Sequence, residues 1–171
     1  MLTLSEIEVK VNELAQTIGA PQNWLPTYGY SEQTARPHVE VSPLACYYVV
    51  TQSGQEISRY ATQDIDRLLF KIFVDVTFRL AISYAEKNQV ENQDIRRLAF
   101  QHQVELFTLL SPQWSKRISQ EQTQTLKQAP FDDNGPVRIV YWKGLRDQGY
   151  SATQANKIAH KKYPYPNKPK G

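Results

Sequence analysis

Two long helical patterns separated by a short break occupy residues 62–110, and they constrain the fold more than any other part of the sequence. The first is TQDIDRLLFKIFVDVTFRLAISYAEKN and the second is QDIRRLAFQHQVELFTLL. At about 100° per residue, the large apolar side chains of the first pattern fall on nearly all sides of a helix. A helix that is apolar all round is a buried one. We therefore expect this helical pair to form the interior of a globular domain.

Shorter patterns precede the helical pair. Residues 3–18 form an amphipathic pattern whose Thr3 and Glu6 have the spacing of a capping box. Three β patterns follow, at 38–41, 45–51 and 55–60. Ser53-Gly54 between the last two is a hairpin turn signal. The sequence thus predicts an N-terminal helix and a three-stranded antiparallel β-meander, with Thr62 capping the long helix that comes next.

Three further helical patterns follow the helical pair, at 111–128, 136–148 and 151–163. They complete an α+β fold with a helical layer and a small C-terminal helical hairpin. A chain of 171 residues suits one domain with a small appendage. We expect an α+β domain over residues 1–130 and a small helical extension with a basic tail over residues 131–171.

The charge of the chain is unevenly distributed. Five lysines and no acidic residue follow Asn156, whereas the rest of the chain has fifteen basic and seventeen acidic residues. A basic terminus can attract acidic partners or nucleic acid, although such termini are more often simply solvated. With one cysteine, no intramolecular disulfide is possible. The N-terminus lacks the pattern of a secretory signal, and no apolar run approaches the ~18 residues of a membrane span, so we expect a cytoplasmic protein without membrane contacts.

Motifs for catalysis or cofactor binding are not found. The sequence has no glycine-rich phosphate loop, HExxH motif or paired-cysteine metal pattern. His102 falls in the apolar stripe of its helix, which favours a core histidine over a catalytic base. Asp75 and Glu86 lie eleven residues apart on one helix, about 16 Å, too far for joint acid–base chemistry. We expect a protein that is not an enzyme and needs no cofactor or metal.

Six charged residues on the helical pair form a candidate polar network: Asp75, Arg79, Glu86, Asp94, Arg96 and Arg97. One interpretation is an exposed surface that recognises a partner. The favoured interpretation is a set of ion pairs that fixes the helices in register, because buried charges need partners.

Residues 136–170 allow an alternative function. Their two helical patterns are joined by Gly149-Tyr150-Ser151 and followed by lysines, a pattern that suggests a helix-turn-helix. Ala155, Ile158 and Ala159 supply only a thin core for such a module, so a helical hairpin packed on the domain is favoured. Nucleic-acid binding is therefore the alternative and not the main hypothesis.

The run from His38 to Pro130 resembles the immunity protein 63 family of bacterial polymorphic toxin systems. The resemblance is found in HVEV, YYVVTQSGQEISRYAT, DIDRLLFKIFVDVTF, QDIRRLAFQHQVELFTLLSPQW and APFDD. The positions that fit the family pattern are Asp75, Phe78, Asp94, Arg96, Arg97, Gln103, Pro112 and Trp114. The resemblance implies a non-catalytic protein that neutralises a cognate toxin by binding it, and the basic tail fits it least.

The residues expected to contact that toxin lie on the polar face and rim of the sheet and on the aromatic loop before it. They are Tyr28, Tyr30, Glu40, Glu56 and Tyr60, with the exposed acids Asp64 and Asp66. The aromatic loop has a second interpretation, in which its rings close the edge of the core. The oligomeric state and the toxin's activity do not follow from the sequence.

Overall fold

A helix, a four-stranded mixed sheet and five further α-helices follow one another in the computed structural model, which describes residues 2–166. The first helix, α1, spans Leu4–Thr17, and a 3₁₀ turn spans Gln22–Trp24. The strands are β1 Thr27–Tyr28, β2 Thr34–Val41, β3 Cys46–Gln52 and β4 Gln55–Thr62. The later helices are α2 Ile65–Lys87, α3 Arg96–Leu110, α4 Pro112–Gln128, α5 Asn134–Asp147 and α6 Ala152–Lys162. The predicted α+β class is confirmed, and Lys168 and Lys170 of the basic tail lie outside the described residues.

The sheet has one strand more than the sequence predicts. Its order is β1-β2-β3-β4, with β1 parallel to β2 and the other two pairings antiparallel. The prediction of a purely antiparallel three-stranded meander was therefore incomplete. β1 has only two residues and lies between Pro26 and Gly29, so it has no alternating pattern. Gly29 has φ +78°, and a Cβ there would lie 3.0 Å from Leu4 Cδ1, so the chain passes close to α1 at this point.

An extra residue in β4 changes which side chains share a face of the sheet. Val50 pairs with Ser58, and the next residue of β3, Thr51, pairs with Glu56. Ile57 is therefore a β-bulge, two residues of β4 facing one of β3. Because of it, Glu56 and Arg59 lie on the same face although they are three residues apart.

The chain divides into two compact units. The first contains Met1–Leu80 and Gln103–Lys116, and the second contains Ala81–His102 and Arg117–Gly171. The helices α2, α3 and α4 each contribute residues to both units. The division at residue 130 that the sequence suggests stays a prediction.

The core of the first unit combines aliphatic residues of α1 and the sheet with an aromatic cluster. Ile7, Val11, Val39 and Val49 are fully buried. The cluster consists of Phe70, Phe73, Phe107 and Trp114. The ring centroids lie 5.3 Å apart between Phe70 and Phe107, and 6.0–6.3 Å apart between Trp114 and each phenylalanine. Such rings supply large buried area, which is the main stabilising contribution to a fold of this size.

The second unit has a smaller core. Ala81, Ala85 and Ala99 are fully buried and pack with Ile82, Ile95 and Leu98. In the C-terminal hairpin, Leu145 of α5 and Ala155 and Ala159 of α6 are buried, and Ser151 and Gln154 form a capping box at the start of α6. The predicted C-terminal helices are thereby found.

His102 is not the core residue that the sequence predicts. It is half-buried, and its ring stacks on Tyr84 with centroids 4.0 Å apart. The buried polar residue is its neighbour Gln103, whose side-chain amide donates to Thr77 Oγ1 and to the carbonyl of Val74, each at 3.2 Å. The buried face of α3 is rotated by about one residue from the predicted stripe, which leaves Leu109 exposed.

No helix in residues 2–166 is both long enough and apolar enough to cross a membrane.

Candidate functional site

One face of the sheet carries a connected set of polar side chains. The register aligns His38 of β2, Val49 of β3 and Arg59 of β4, and the adjacent row aligns Glu40 with Tyr47. Val39 and Tyr48 belong to the opposite face, where Lys71 of α2 lies 5.7 Å from the Tyr48 ring. The face with Arg59 is therefore the one turned away from that contact with α2.

Arg59 is the centre of this polar set. Its Nη1 donates to Glu40 Oε2 at 2.7 Å, and its Nη2 donates to Glu56 Oε2 at 2.8 Å. Its guanidinium lies 5.1 Å from the centroid of the Tyr47 ring, and Glu40 Oε1 lies 3.0 Å from His38 Nε2. We name these five residues, His38, Glu40, Tyr47, Glu56 and Arg59, the sheet-face array.

Glu40, Glu56 and Arg59 of the array are ionised at neutral pH and partly exposed to solvent. Hydrogen bonds from Arg59 hold the pKa of both Glu40 and Glu56 below the usual range, and these two carboxylates raise the pKa of Arg59. The side chains of Arg59, Glu40 and Glu56 are 36%, 38% and 45% exposed. Two carboxylates and one guanidinium give a net charge of −1, in fixed geometry. This arrangement suits recognition of a charged partner rather than proton transfer near pH 7.

His38 occupies the inner edge of the array. It is buried, and its Nδ1 has no hydrogen-bond partner within residues 2–166. Its Nε2 contacts Glu40 Oε1 at 3.0 Å. His38 therefore fixes the position of Glu40 from beneath rather than reaching the surface itself.

The tyrosines predicted to contact a partner lie in different environments. Tyr30 is 60% exposed. Tyr28 is half-buried, burial raises its pKa, and its hydroxyl has no hydrogen-bond partner in the described part of the chain. Tyr60 is half-buried and pairs with Tyr48, which places it on the opposite face from Glu40 and Glu56. The sequence pattern places Glu56 and Tyr60 on one face of the sheet, but the bulge at Ile57 places them on opposite faces.

The two acids at the start of α2 have structural partners. Asp64 Oδ1 accepts from the backbone N–H of Asp66 at 2.9 Å and of Arg67 at 3.4 Å, so Asp64, not Thr62, caps the helix. Thr62 instead accepts from the Asp64 N–H at 3.1 Å. Asp66 Oδ1 accepts from the indole N–H of Trp114 at 2.9 Å. Both acids are still exposed and therefore also accessible to a partner.

The six charged residues predicted to form one network lie in both units. In the first unit, Asp75 lies 3.4 Å from Lys71 Nζ, and the Arg79 guanidinium lies 4.7 Å from the centroid of the Trp24 ring. Glu86 is exposed on the second-unit part of α2.

Asp94 caps α3 in the second unit. Its side chain is buried and accepts from the Arg96 backbone N–H at 2.9 Å and from the Arg96 guanidinium at 2.6–3.1 Å. It also accepts from the Asp132 N–H at 2.8 Å. Burial raises the pKa of Asp94, but these hydrogen bonds outweigh burial and the net pKa is lowered. The Arg96 guanidinium also donates hydrogen bonds to the carbonyls of Ala129 and Pro130. These bonds connect the start of α3 to the loop before α5.

Asp133 makes the matching contact from that loop. It receives two hydrogen bonds of 2.8 Å from Arg97 and one of 3.0 Å from the Asp94 N–H. The hydrogen bonds from Arg97, followed by the Asp94 N–H, lower the pKa of Asp133 to about 2. Next to it, Asp132 pairs with the buried Arg138.

The sequence analysis does not identify Asp132, Asp133 or Arg138 as partners of other charged residues. The paired acids of PFDDNG, opposite the paired arginines of DIRR, were the available signal. These contacts support the interpretation of Asp94, Arg96 and Arg97 as residues that stabilise the fold.

Within residues 2–166, no three His, Cys, Asp or Glu side chains come together in a way that could hold a metal ion.

Comparison with protein-family models gives a match for the central part of the chain. Residues 43–124 match the family model described as Immunity protein 63, which confirms the resemblance predicted from the sequence. The matched segment contains β3, β4, α2, α3 and most of α4, and therefore Glu56 and Arg59 of the sheet-face array. No curated protein and no solved structure matches the chain.

Proposed function

Because residues 43–124 match the immunity protein 63 family, we propose that this protein binds a cognate bacterial toxin domain and blocks it without catalysing a reaction. The family match is the observation that carries the proposal. The producing cell's cytoplasm is the proposed place of action, since a toxin must be blocked there before it damages its own cell. The alternative of a nucleic-acid-associated regulator using residues 136–170 gains no support from the comparisons.

The sheet-face array is the proposed centre of the toxin-binding surface. A guanidinium held between Glu40 and Glu56 loses little side-chain entropy on binding, because its hydrogen bonds already fix it. Arginine and tyrosine are the residue types that most often dominate protein–protein affinity. Ile57 is 58% exposed at the adjacent bulge and supplies apolar contact area.

The remaining predicted contacts belong to the periphery of this proposed surface. Tyr30 is exposed and free to pack against a partner. Tyr28, Tyr60, Asp64 and Asp66 make contacts within the fold, so each contributes less binding energy. Peripheral residues exclude water from a binding surface even where they add little affinity.

The proposal is tested by co-expression with the toxin domain encoded beside this gene. Bacteria expressing the toxin domain alone should stop growing, and co-expression of the full-length protein should restore growth. Arg59→Leu should reduce this protection, whereas Arg117→Leu, which removes an exposed ion pair from α4, should not. Failure of the wild-type protein to protect or to co-purify with the toxin domain would reject the proposed function.

A further inference from the structure

A large groove lies in the second unit. It has a volume of about 1020 Å³, at the upper end of the roughly 300–1,000 Å³ typical of ligand sites. Its walls come from the end of α2, the loop 89–95, the first two turns of α5, and Tyr163 after α6. A groove of this size accommodates several side chains of a bound segment.

The walls of this groove expose an unusual amount of apolar surface. Val90, Ile139 and Val140 are 52%, 56% and 71% exposed, and all three line the groove. Val137, Ile95 and Leu98 extend the same lining. Isolated exposed apolar residues are common, but several around one concavity indicate an interaction site.

The charged residues that line the groove are all acidic. They are Glu91, Asp94 and Asp132, and no Lys, Arg or His is among the described lining residues. Arg96 and Arg138 lie outside the lining and pair with Asp94 and Asp132. Glu91 is exposed and adds negative charge to the groove.

One carboxylate oxygen of the groove lining has no hydrogen-bond donor within the described residues. Asp132 Oδ2 receives the hydrogen bond from Arg138, but Asp132 Oδ1 is buried and has no partner within the described range 2–166. A buried carboxylate oxygen without a donor is destabilising. Because Asp132 lines the groove, this oxygen is a candidate acceptor for an N–H donor of a bound segment.

We propose that this groove binds a peptide segment of a partner protein in which a lysine or arginine is flanked by apolar side chains. The apolar walls take the flanking side chains, and Asp132 and Glu91 receive the cation. The groove and its lining support this binding independently of the proposed toxin binding.

The probe is the fluorescein-labelled peptide GLLKLLG, measured by fluorescence anisotropy with the full-length protein. A matched peptide with norleucine in place of lysine keeps the apolar contacts and removes the charge. We expect the lysine peptide to bind at least 10-fold more tightly than the norleucine peptide. Equal affinity for the two peptides, or no binding of either at 1 mM, would overturn the proposal.

Two variants locate the binding. Val140→Lys places a cation in the groove at an exposed helical position. It should weaken the binding of the lysine peptide at least 10-fold. Val9→Lys, the same substitution at an exposed position of α1, should change affinity less than twofold. Equal effects of Val140→Lys and Val9→Lys on peptide affinity would contradict the assigned location. Asp132→Asn should weaken peptide binding about 5-fold, and a thermal melt checks that this variant is folded.

The same measurements distinguish other occupants. Deletion of residues 167–171 should leave peptide affinity unchanged; a gain of 10-fold or more would show that the chain's own C-terminus occupies the groove. Light scattering should show the same mass for wild type and Val140→Lys. A wild-type dimer that Val140→Lys converts to a monomer would assign the groove to a second copy. Either result would overturn the proposal of a partner segment.

Discussion

Arg59 and Glu40 form a 2.7 Å ion pair across the intervening strand β3, from the edge strand β4 to β2. The same guanidinium holds Glu56 of its own strand, because the bulge at Ile57 turns that carboxylate to the same face. The result is a rigid charged array at the exposed edge of the sheet. This geometry supports the proposal that the sheet-face array is the centre of a toxin-binding surface.

Arg59→Leu should separate binding from stability. Ion pairs between exposed groups contribute about 0–1 kcal/mol, so the free energy of unfolding should change by less than ~1 kcal/mol. Toxin affinity should fall at least ~10-fold, since Glu40 and Glu56 would be left as adjacent like charges without the guanidinium. Calorimetry gives the affinity and urea unfolding the stability. Arg117→Leu is the control, and an equal loss of affinity in both variants would contradict the assignment.

Asp133→Asn should remove an acid-sensitive part of the stability. The pKa of Asp133 is about 2 in the folded protein, below its ordinary value of 3.8. A carboxyl group whose pKa is lowered by folding stabilises the folded protein. This stabilisation is complete at pH values above the pKa of the group in the unfolded chain, and it is lost as the pH falls through the pKa in the folded protein. The difference in urea midpoint between wild type and variant should be constant from pH 7 to 5 and shrink from about pH 4 to 2. A difference that grows on acidification would contradict the role of the Arg97–Asp133 pair.

Thr77→Val should expose the dependence of Gln103 on a buried partner. Thr77 is fully buried, accepts from Gln103 at 3.2 Å and donates to the Phe73 carbonyl at 2.5 Å. Valine has the same shape and cannot form either hydrogen bond, so we expect a loss of about 1–3 kcal/mol. The double variant with Gln103→Leu should lose less than the sum of the two single variants, as measured in a double-mutant cycle. Additive losses would show that the two side chains act independently.

Asp66→Ala should act on stability more than on toxin binding. The substitution removes the acceptor for the Trp114 indole N–H, at a cost of about 1–2 kcal/mol by thermal or urea unfolding. Combined with Trp114→Phe, which removes the donor, the cost of Asp66→Ala should become smaller. Toxin affinity should change less than threefold. A larger loss of affinity at unchanged stability would move Asp66 from the periphery to the centre of the binding surface.

Local signals in the sequence predicted much of the backbone. The capping box of Thr3 and Glu6 is present in the structure, with both of its reciprocal hydrogen bonds. The β3–β4 hairpin and the C-terminal helices also follow from turn and capping residues. These features depend on neighbours within a few positions, which sequence patterns record directly.

The sequence patterns did not predict features that depend on residues far apart in the chain. β1 exists because Thr27 and Tyr28 pair with His38 and Val39, and nothing local marks them as a strand. The bulge at Ile57 comes from the register with β3, and it places Glu56 on the opposite face of the sheet from Tyr60. Asp133 meets Arg97 across 36 positions, a pairing that the loop sequence alone does not specify.

Direct titration of the toxin domain with the purified full-length protein tests the central claim most directly. The toxin domain encoded beside this gene should form a stoichiometric complex, and its activity should fall to background at one equivalent of the protein. Arg59→Leu should require at least ~10-fold more protein for the same inhibition, equivalent to about 1.4 kcal/mol. If the wild-type protein leaves the toxin fully active and calorimetry detects no complex, the account of this protein as a toxin-neutralising immunity protein is wrong.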